Sequence, residues 1–415
     1  MNYQISEQTK QKLEQLTAQT SVQRALEFAE ADQETILEKQ IELTLIPAPT
    51  GAEGQKAKRL LEMFQEEGLE DCHIDEYGNC VGILRGTGDG VTTLLEAHMD
   101  TVFPMDTKLE IVREDGYIKC PGIVDDTRGC AAVLSAVRAI RAAGIQPKGD
   151  IHVVGTVQEE GMGALKGMQY YCQHHPELQA SVSVDGDGFE EIVCQATGIQ
   201  TYEITFHGIG GHAWAAFGQV ANPLHAAARF MAKLADFEVL SESFTTFAAT
   251  GSHAGNMAAV HAIVPEASVV LNFRSNDQKD LMDLKGRIFA AVEEACQEET
   301  ARWGKDKITW TSRHICDVNA GAQDIHEPIV EAAYAVSQYL GCAEPGIAKG
   351  GSTNCSRALE AGLPAICLGA GRDYDSKCHT LQEQFKPEGA YKGAQIAMLM
   401  ALLCAGTEEV ESVIR

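Results

Sequence analysis

The chain has 415 residues, of which 45% are hydrophobic and 22% charged, as is typical of a globular protein with a large core. The length favours two domains. The formal net charge of -26 argues against nucleic acids and anionic membrane surfaces as partners. The 13 cysteines are scattered without a C-x-x-C pair, which favours reduced thiols and predicts a cytoplasmic location. We recognise neither a signal peptide nor a membrane-spanning run.

Helical periodicity marks the start of the chain, with apolar residues recurring at spacings of three and four over residues 5–45. Two prolines and two glycines break this pattern at residues 46–54, and a further helix is predicted to end at Gly68. Residues 72–88 predict a strand, a turn and a second strand. The short apolar run of residues 92–97 then predicts a buried strand.

Strands and helices alternate in the next part of the chain. An amphipathic helix is predicted from Thr127 to a glycine stop at Gly144, followed by a strand, a helix and a short strand. This alternation is the signature of an α/β domain with a mostly parallel sheet flanked by helices. In such sheets function gathers at the carboxyl ends of the strands. Acidic and imidazole side chains follow these ends at His98, Asp125, Glu159, Glu160 and Asp185.

A different pattern begins near residue 199, where apolar and polar residues alternate as in a half-exposed antiparallel strand. Residues 199–316 predict a β-α-β-α-β insert, which is an α+β domain of ferredoxin-like type. The α/β pattern then resumes. We therefore predict a split domain, 1–198 and 317–415, around an inserted domain at 199–316.

The stretch from His98 to Asp100 predicts a metal ligand with its supporting acid. Side chains at i and i+2 of an extended segment point to the same side, so Asp100 can accept a hydrogen bond from one ring nitrogen of His98. The alternative is a buried histidine beside a solvated aspartate. Each acidic pair also has an alternative when it is considered by itself. Asp125 and Asp126 would suit a solvated turn, and Glu159 and Glu160 would suit the N-terminus of a helix. Sharing one cleft, however, these acids would need cations to neutralise them. We expect two divalent metal ions. Zn²⁺ is the preferred identity, and Co²⁺ or Mn²⁺ would also suit such ligands.

In their order, five segments resemble the co-catalytic two-zinc peptidase family that includes peptidase T, aminoacylase, carnosinase and the bacterial glutamate carboxypeptidases. The segments are HMD at 98–100, GIVDDTRG at 122–129, QEEG at 158–161, VDGDG at 184–188 and CHTLQE at 378–383. The resemblance extends from APTGAEG at 48–54 to HTLQEQF at 379–385 and is closest to the peptidase T branch.

The resemblance implies a role for each matching residue. Asp100 would orient the first histidine, Asp125 would bridge both metals, and Glu159 would be the general base. The insert would be a lid and dimerisation domain, and the protein a homodimer. The implied metal ligands are His98, Asp125, Glu160, Asp185 and His379.

Substrate-contacting positions follow from the same resemblance. His212 would cross the dimer interface to hold the oxyanion, and Asn256 and Arg274 would hold a substrate carboxylate or carbonyl, as arginine does through paired hydrogen bonds. Gly351 and Ser352 lie in a glycine-rich turn whose amides suit an anion or a carbonyl oxygen. The alternatives are a surface histidine for His212 and a strand ion pair for Arg274.

Three positions depart from the family pattern. Thr127 stands where the family has lysine, and Asn272 and Asn354 stand where it commonly has aspartate. Asp126 fills a variable position. None of the three departures is an expected metal ligand, so they bear on substrate recognition rather than on hydrolysis.

We expect a metal-dependent hydrolase that cleaves short peptides, as a dipeptidase or tripeptide aminopeptidase. A water bridging two divalent ions has its pKa lowered towards about 7, and Glu159 would take its proton and pass it to the leaving amine. The runner-up is an N-acyl amino acid amidohydrolase with the same metals. A non-catalytic binding protein would lack a ligand or the base, yet all are present. A nucleotide-binding oxidoreductase is rejected, because RGTGDG at 85–90 lacks the required glycine spacing.

Overall fold

The computed structural model describes residues 3–239, 242–303, 307–348 and 350–414. The predicted domain ends at Met1 and Arg415 lie outside these residues. The chain forms two compact units. One consists of the residues up to 196 together with those from 322 onwards, and the other of residues 197–321, which overlap the predicted insert.

Helices and strands alternate along both parts of the larger unit. The helices of the described residues are α1 (Glu7–Thr17), α2 (Thr20–Ala31), α3 (Gln33–Thr44), α4 (Gly54–Glu66), α5 (Thr127–Ala142), α6 (Lys166–His174), α7 (Pro223–Ala235), α8 (Gln278–Trp303), α9 (Pro328–Tyr339), α10 (Cys355–Glu360) and α11 (Tyr391–Ala405). The strands are β1 (Glu70–Ile74), β2 (Cys80–Leu84), β3 (Thr93–His98), β4 (Val112–Glu114), β5 (Tyr117–Lys119), β6 (Ile151–Thr156), β7 (Ala180–Val184), β8 (Glu191–Val193), β9 (Gln195–Ala196), β10 (Gly198–His207), β11 (Gly211–His212), β12 (Thr246–Ala254), β13 (Ala262–Ile263), β14 (Glu266–Ser275), β15 (Thr309–Val318), β16 (Gly321–Ala322), β17 (Gly346–Ala348), β18 (Ala365–Leu368) and β19 (Gln384–Phe385).

An eight-stranded sheet, in the order β1-β2-β6-β3-β7-β18-β8-β17, is the centre of the larger unit. Its four middle strands, β6, β3, β7 and β18, are parallel and entirely buried. Strand β2 runs antiparallel to β6, and β8 antiparallel to β18. The predicted α/β architecture with a mostly parallel sheet flanked by helices is confirmed.

Successive residues of β3 face opposite sides of this sheet, as the pleat requires. Leu95 belongs to a large apolar cluster that includes residues of α1 to α5, α9 and α11. Leu94 belongs to a second cluster, with Tyr171 of α6 and Cys355 of α10. Helices therefore cover both faces of the sheet.

The helical stretch predicted over residues 5–45 is divided into three helices. The backbone of Gln19 is extended, and Asp32 separates α2 from α3. Neither break contains the glycine or proline that marks a helix end in a sequence. No helix of the described residues is long and apolar enough to cross a membrane.

The unit of residues 197–321 contains a four-stranded antiparallel sheet in the order β12-β14-β10-β15, with α7 and α8 packed on it. Burial alternates along β10 and β14, as predicted from the alternation of their residues. The sequence interpretation missed β12, whose residues are almost all exposed. A strand without a buried face carries no apolar alternation, so this edge strand has no pattern to detect.

Candidate metal centre

Polar side chains from all four parallel strands meet beyond the carboxyl end of the sheet. His98 is the last residue of β3, and Asp185 directly follows β7. Glu159 and Glu160 follow β6, and Asp125 lies just before α5. The topology of a parallel sheet brings these ends together, although the residues are far apart in sequence.

Asp125 lies between the two histidines of the predicted ligand set. Its Oδ1 is 3.2 Å from Nε2 of His98, and its Oδ2 is 3.0 Å from Nε2 of His379. The same nitrogen of His379 is 2.9 Å from Oε1 of Glu160. Oδ2 of Asp185 is 4.0 Å from Nε2 of His98. All five predicted ligands therefore lie in one cluster, with a different oxygen of Asp125 facing each histidine.

The other ring nitrogen of His98 faces Asp100. Nδ1 lies 3.0 Å from the main-chain oxygen of Asp100 and 3.5 Å from its Oδ1, so the carbonyl is the closer acceptor. The carboxylate also accepts hydrogen bonds from the main-chain amides of Glu159 at 3.0 Å and Glu160 at 2.9 Å. Thr50 donates to it at 2.9 Å. Asp100 thus orients the loop that carries the two glutamates.

Negative charge accumulates in this cluster. Burial, reinforced by neighbouring carboxylates, raises the pKa of Glu159 and of Asp185. Burial and the charge of Asp185 likewise raise the pKa of Asp126. Hydrogen bonds to Asp125 and Glu160 raise the pKa of His379 to about 10. In contrast, hydrogen bonds from His379 and His98 hold the pKa of Asp125 well below its usual range despite its burial, so the acids of the cluster differ in how easily they bind a proton.

Three buried groups of the cluster were missed by the sequence interpretation. Arg372 follows β18, and its Nη2 is 2.9 Å from Oδ1 of Asp185. Asp126 is fully buried and caps α5 by accepting the amide of Gly129 at 2.9 Å. Glu383 accepts the amides of Val124 and Asp125 at 2.7 and 2.9 Å. The available signals were an acid directly before a helix, at Asp126, and an arginine four residues after the end of a strand, at Arg372.

The glycine-rich turn at residues 350–354 precedes α10. Gly351 is half-buried, Ser352 is exposed, and Asn354 is buried. The side-chain amide of Asn354 donates to Oε2 of Glu96 and to Oγ1 of Thr156, both at 2.8 Å. This ties the turn to the ends of β3 and β6, on which His98 and the loop of Glu159 depend.

The remaining predicted substrate residues belong to the unit of residues 197–321, where all three are exposed. Nδ1 of His212 accepts the amides of Trp214 at 3.2 Å and Ala215 at 3.4 Å. Oδ1 of Asn256 accepts the amide of Ala258 at 2.8 Å. Arg274 donates to Oδ1 of Asn272 at 3.0 Å, so its neighbour on the strand is a neutral amide.

Comparison with known proteins decides the family. Residues 94–402 match the model of peptidase family M20/M25/M40. The chain belongs to this family. The match includes the cluster around Asp125 and also the residues of the smaller unit.

Three relatives show how far the likeness extends. The succinyl-diaminopimelate desuccinylase of Corynebacterium glutamicum is 26% identical over 339 residues, which cover 79% of this chain and 85% of the relative. A tripeptidase structure from Staphylococcus aureus has a TM-score of 0.72 at 23% identity, covering 89% of this chain and 98% of that one. A Bacillus subtilis structure, described as a dinuclear metal-binding peptidase from family M20, has a TM-score of 0.66 at 13% identity. The match covers 91% of this chain and 99% of that one.

The donor set fits the two metal ions of an M20 enzyme. Ligand atoms of His98, Asp125 and Glu160 lie within 4.8 Å of one another, as do those of His98, Asp126 and Asp185. Burial and neighbouring carboxylates raise the pKa of Glu159 and of Asp185, and bound divalent cations would favour the ionised form of both groups. As a member of this family, the protein is a metal-dependent hydrolase of peptide or amide bonds.

Proposed function

We propose that the protein is a cytoplasmic peptidase that cleaves the amide bond of short peptides, as a dipeptidase or a tripeptide aminopeptidase. The observation that carries this proposal is the position of Asp125 between His98 and His379, at 3.2 and 3.0 Å, in a cluster that also holds Glu159. The similarity to a tripeptidase structure supports a peptide substrate.

Two Zn²⁺ ions are the proposed cofactor. His98 and Asp185 would hold one ion, Glu160 and His379 the other, and Asp125 both. When bound, such ions lower the pKa of a water molecule and polarise the scissile carbonyl. Histidine nitrogens with carboxylate oxygens suit zinc, and Co²⁺ or Mn²⁺ would also suit this set.

Glu159 is proposed as the general base. Its Oε2 is 4.0 Å from Nε2 of His98, so the carboxylate faces the ligand cluster without belonging to the closest contacts. Burial keeps this carboxylate poorly solvated and raises its pKa, which brings its basicity closer to that needed near neutral pH. The amide of Glu159 is fixed by Asp100. Glu159 would take a proton from the attacking water and deliver it to the leaving amine.

Substrate recognition is assigned to residues outside the ligand cluster. We place the oxyanion contact with His212 and the substrate carboxylate or carbonyl with Asn256 and Arg274. Gly351 and Ser352 would contribute the main-chain groups of their turn. The exposure of His212, Asn256 and Arg274 is compatible with contact to a substrate.

A second candidate is an N-acyl amino acid amidohydrolase that uses the same metal centre. The observation that favours it is the 26% identity to a desuccinylase over 79% of this chain. Peptide and N-acyl amide cleavage need the same attack on an amide carbonyl, so the pocket and not the metal centre would separate them.

The deciding experiment is hydrolysis of a panel containing free dipeptides, tripeptides, N-acetyl and N-succinyl amino acids, and N-blocked peptides. The zinc-loaded protein is compared with Glu159→Gln, which retains the shape of the side chain, and with Glu160→Gln. We expect free-amine peptides to be cleaved, with Glu159→Gln losing roughly 10²–10⁴-fold in kcat while binding the same amount of zinc. Glu160→Gln should also lose zinc. Cleavage of N-acyl compounds alone would replace the peptidase proposal with the deacylase, and zinc loss in Glu159→Gln would refute its role as base.

A homodimer through the 197–321 unit is also proposed. The unit exposes two large apolar residues, Trp214 at 88% of its maximum and Met257 at 92%, and Trp214 lies two residues after His212. Strand β12 is an open sheet edge. A dimeric mass in solution that becomes monomeric in Trp214→Ser, with loss of activity, is the expected result. A monomeric mass with full activity would overturn both the dimer and the role of His212 across it.

A further inference from the structure

A second group of metal-ligand side chains lies at the opposite end of the main sheet. His152 is the second residue of β6, whereas Glu159 follows the last. Thr156 lies four positions beyond His152 along the strand, which corresponds to roughly 13 Å. His175 is the C-cap of α6, which brings the chain back from the metal centre to this end. Ligand atoms of His152, His175 and Glu177 lie within 4.8 Å of one another.

Aromatic packing holds the two imidazoles in place. The ring of His175 stacks on Tyr171 with centroids 4.1 Å apart, and the rings of His152 and His175 meet edge to face at 5.5 Å. Nδ1 of His152 lies 2.8 Å from the hydroxyl of Tyr171. When Nδ1 donates to that hydroxyl, Nε2 presents a lone pair, as in histidines whose second nitrogen is held by a neighbouring acceptor.

The carboxylate completes a set of three donors. Oε1 of Glu177 is 2.7 Å from Nδ1 of His175. The side chain of Glu177 is 48% exposed and that of His175 26%, so an ion can reach them from solvent. Two imidazole nitrogens and one carboxylate oxygen form a set that zinc uses with water in the remaining position.

We propose that His152, His175 and Glu177 form an additional binding site for a zinc-like divalent ion, separate from the centre around Asp125. The ion would replace the direct contact between His175 and Glu177 and would connect the end of α6 to the start of β6. His152 is ready for this role, because burial lowers its pKa to about 4 and keeps the imidazole neutral at pH 7. The predicted preference is for ions that favour imidazole, such as Zn²⁺, Co²⁺ and Ni²⁺, over Mg²⁺ and Ca²⁺.

The test counts Co²⁺ and Zn²⁺ bound per chain by the full-length protein after chelator treatment and gel filtration. Wild type is compared with His175→Ala and Glu177→Gln. The matched control is His174→Ala, because this adjacent histidine instead contacts the main-chain oxygen of Tyr170 at 2.8 Å. We expect His175→Ala to bind one ion fewer than wild type, Glu177→Gln to bind that ion at least about tenfold more weakly, and His174→Ala to match wild type.

Two further arms make the result independent of the catalytic centre and of folding. In a His379→Ala background, adding His175→Ala should still remove one ion and should abolish part of the rise in Tm that Zn²⁺ produces. Glu177 is exposed enough that Glu177→Gln is expected to fold normally. Equal stoichiometry and affinity in wild type, His175→Ala and Glu177→Gln would overturn the proposal, as would an equal loss in His174→Ala.

Discussion

The main-chain amide of Glu159 donates a hydrogen bond to Oδ1 of Asp100 at 3.0 Å. Oδ2 of the same carboxylate accepts the amide of Glu160, so one buried acid fixes the loop that presents both glutamates. Asp100 is adjacent to the ligand cluster but acts on it through the backbone. Its removal should therefore change the position of Glu159 and Glu160 together.

Substitution of Asp100 by asparagine tests this arrangement. Asparagine replaces one of the two carboxylate oxygens with an NH2 group, which cannot accept a hydrogen bond, so one of the two main-chain amides loses its acceptor. We expect zinc affinity to fall about 10–100-fold, as for other residues that support metal ligands. The free energy of unfolding of the metal-free protein should fall by about 1–3 kcal/mol. Competition with a chelator and urea unfolding measure the two effects. Thr50→Val, which removes only one donor to Asp100, should have the smaller effect on both, and an equal effect would contradict this account.

Replacement of Arg372 by methionine should destabilise the metal-free protein more than the zinc-loaded protein. Arg372 is 7% exposed, and its guanidinium contacts Asp185 at 2.9 Å and Asp125 at 3.5 Å. Its loss leaves buried carboxylates without a counter-charge, which costs about 3–5 kcal/mol. Saturating zinc should restore part of this loss, because the ions supply the missing positive charge. Urea unfolding with and without zinc is the measurement, and Arg372→Lys should be intermediate. Unchanged stability without metal would refute the compensating role.

Asn354→Asp restores the residue that the family commonly has, yet we expect it to be harmful here. Asn354 donates to Oε2 of Glu96, and burial already raises the pKa of this glutamate. A second carboxyl group at this point would force one of the two to bind a proton. The unfolded chain releases that proton above pH 5, so the penalty should grow from pH 5 to pH 8 and reach about 1–3 kcal/mol at pH 7. Urea unfolding across this range measures it. The double variant Glu96→Gln with Asn354→Asp should recover stability, and failure to recover would argue against the charge explanation.

The burial of His152 should lower the free energy of unfolding in mild acid. Burial lowers its pKa from 6.5 to about 4 in the folded chain. Between these values the unfolded state binds more protons, so the free energy of unfolding decreases as the pH falls from 6.5 to 4. The contribution is roughly 3 kcal/mol over this window. His152→Gln should show a shallower dependence in urea unfolding with chelator present. Parallel curves for the two proteins would exclude His152 as the titrating group.

Much of the fold could be predicted because buried parallel strands are continuous apolar runs and their ends are marked by acids or histidine. The strand ending at His98 and the acid Asp185 were found in this way. The division of the first helical stretch at Gln19 could not be found, because no helix-breaking residue marks it and the packing of neighbouring helices decides it.

The cluster could be predicted only as a set of residue types at strand ends. The role of Asp100 depends on which acceptor each amide reaches, and spacing in the sequence does not determine this. Arg372 lies in a loop without periodicity, so its burial among carboxylates follows only from the folded topology. The assignment of individual ligands and of the substrate residues stays a prediction.

Strand β18 has a consequence for how the protein is made. It pairs in parallel with β7, matching Ala365 with Ser181, although most of the chain's second half separates them. A ribosome must therefore release the chain as far as residue 368 before the middle of the sheet can close, and helix α11, almost wholly buried, emerges later still. Until then the acids after β3, β6 and β7 lack Arg372 and His379. Nascent chains stalled before residue 365 should thus remain protease-sensitive, and this enzyme should become competent only after His379 and α11 have emerged from the ribosome.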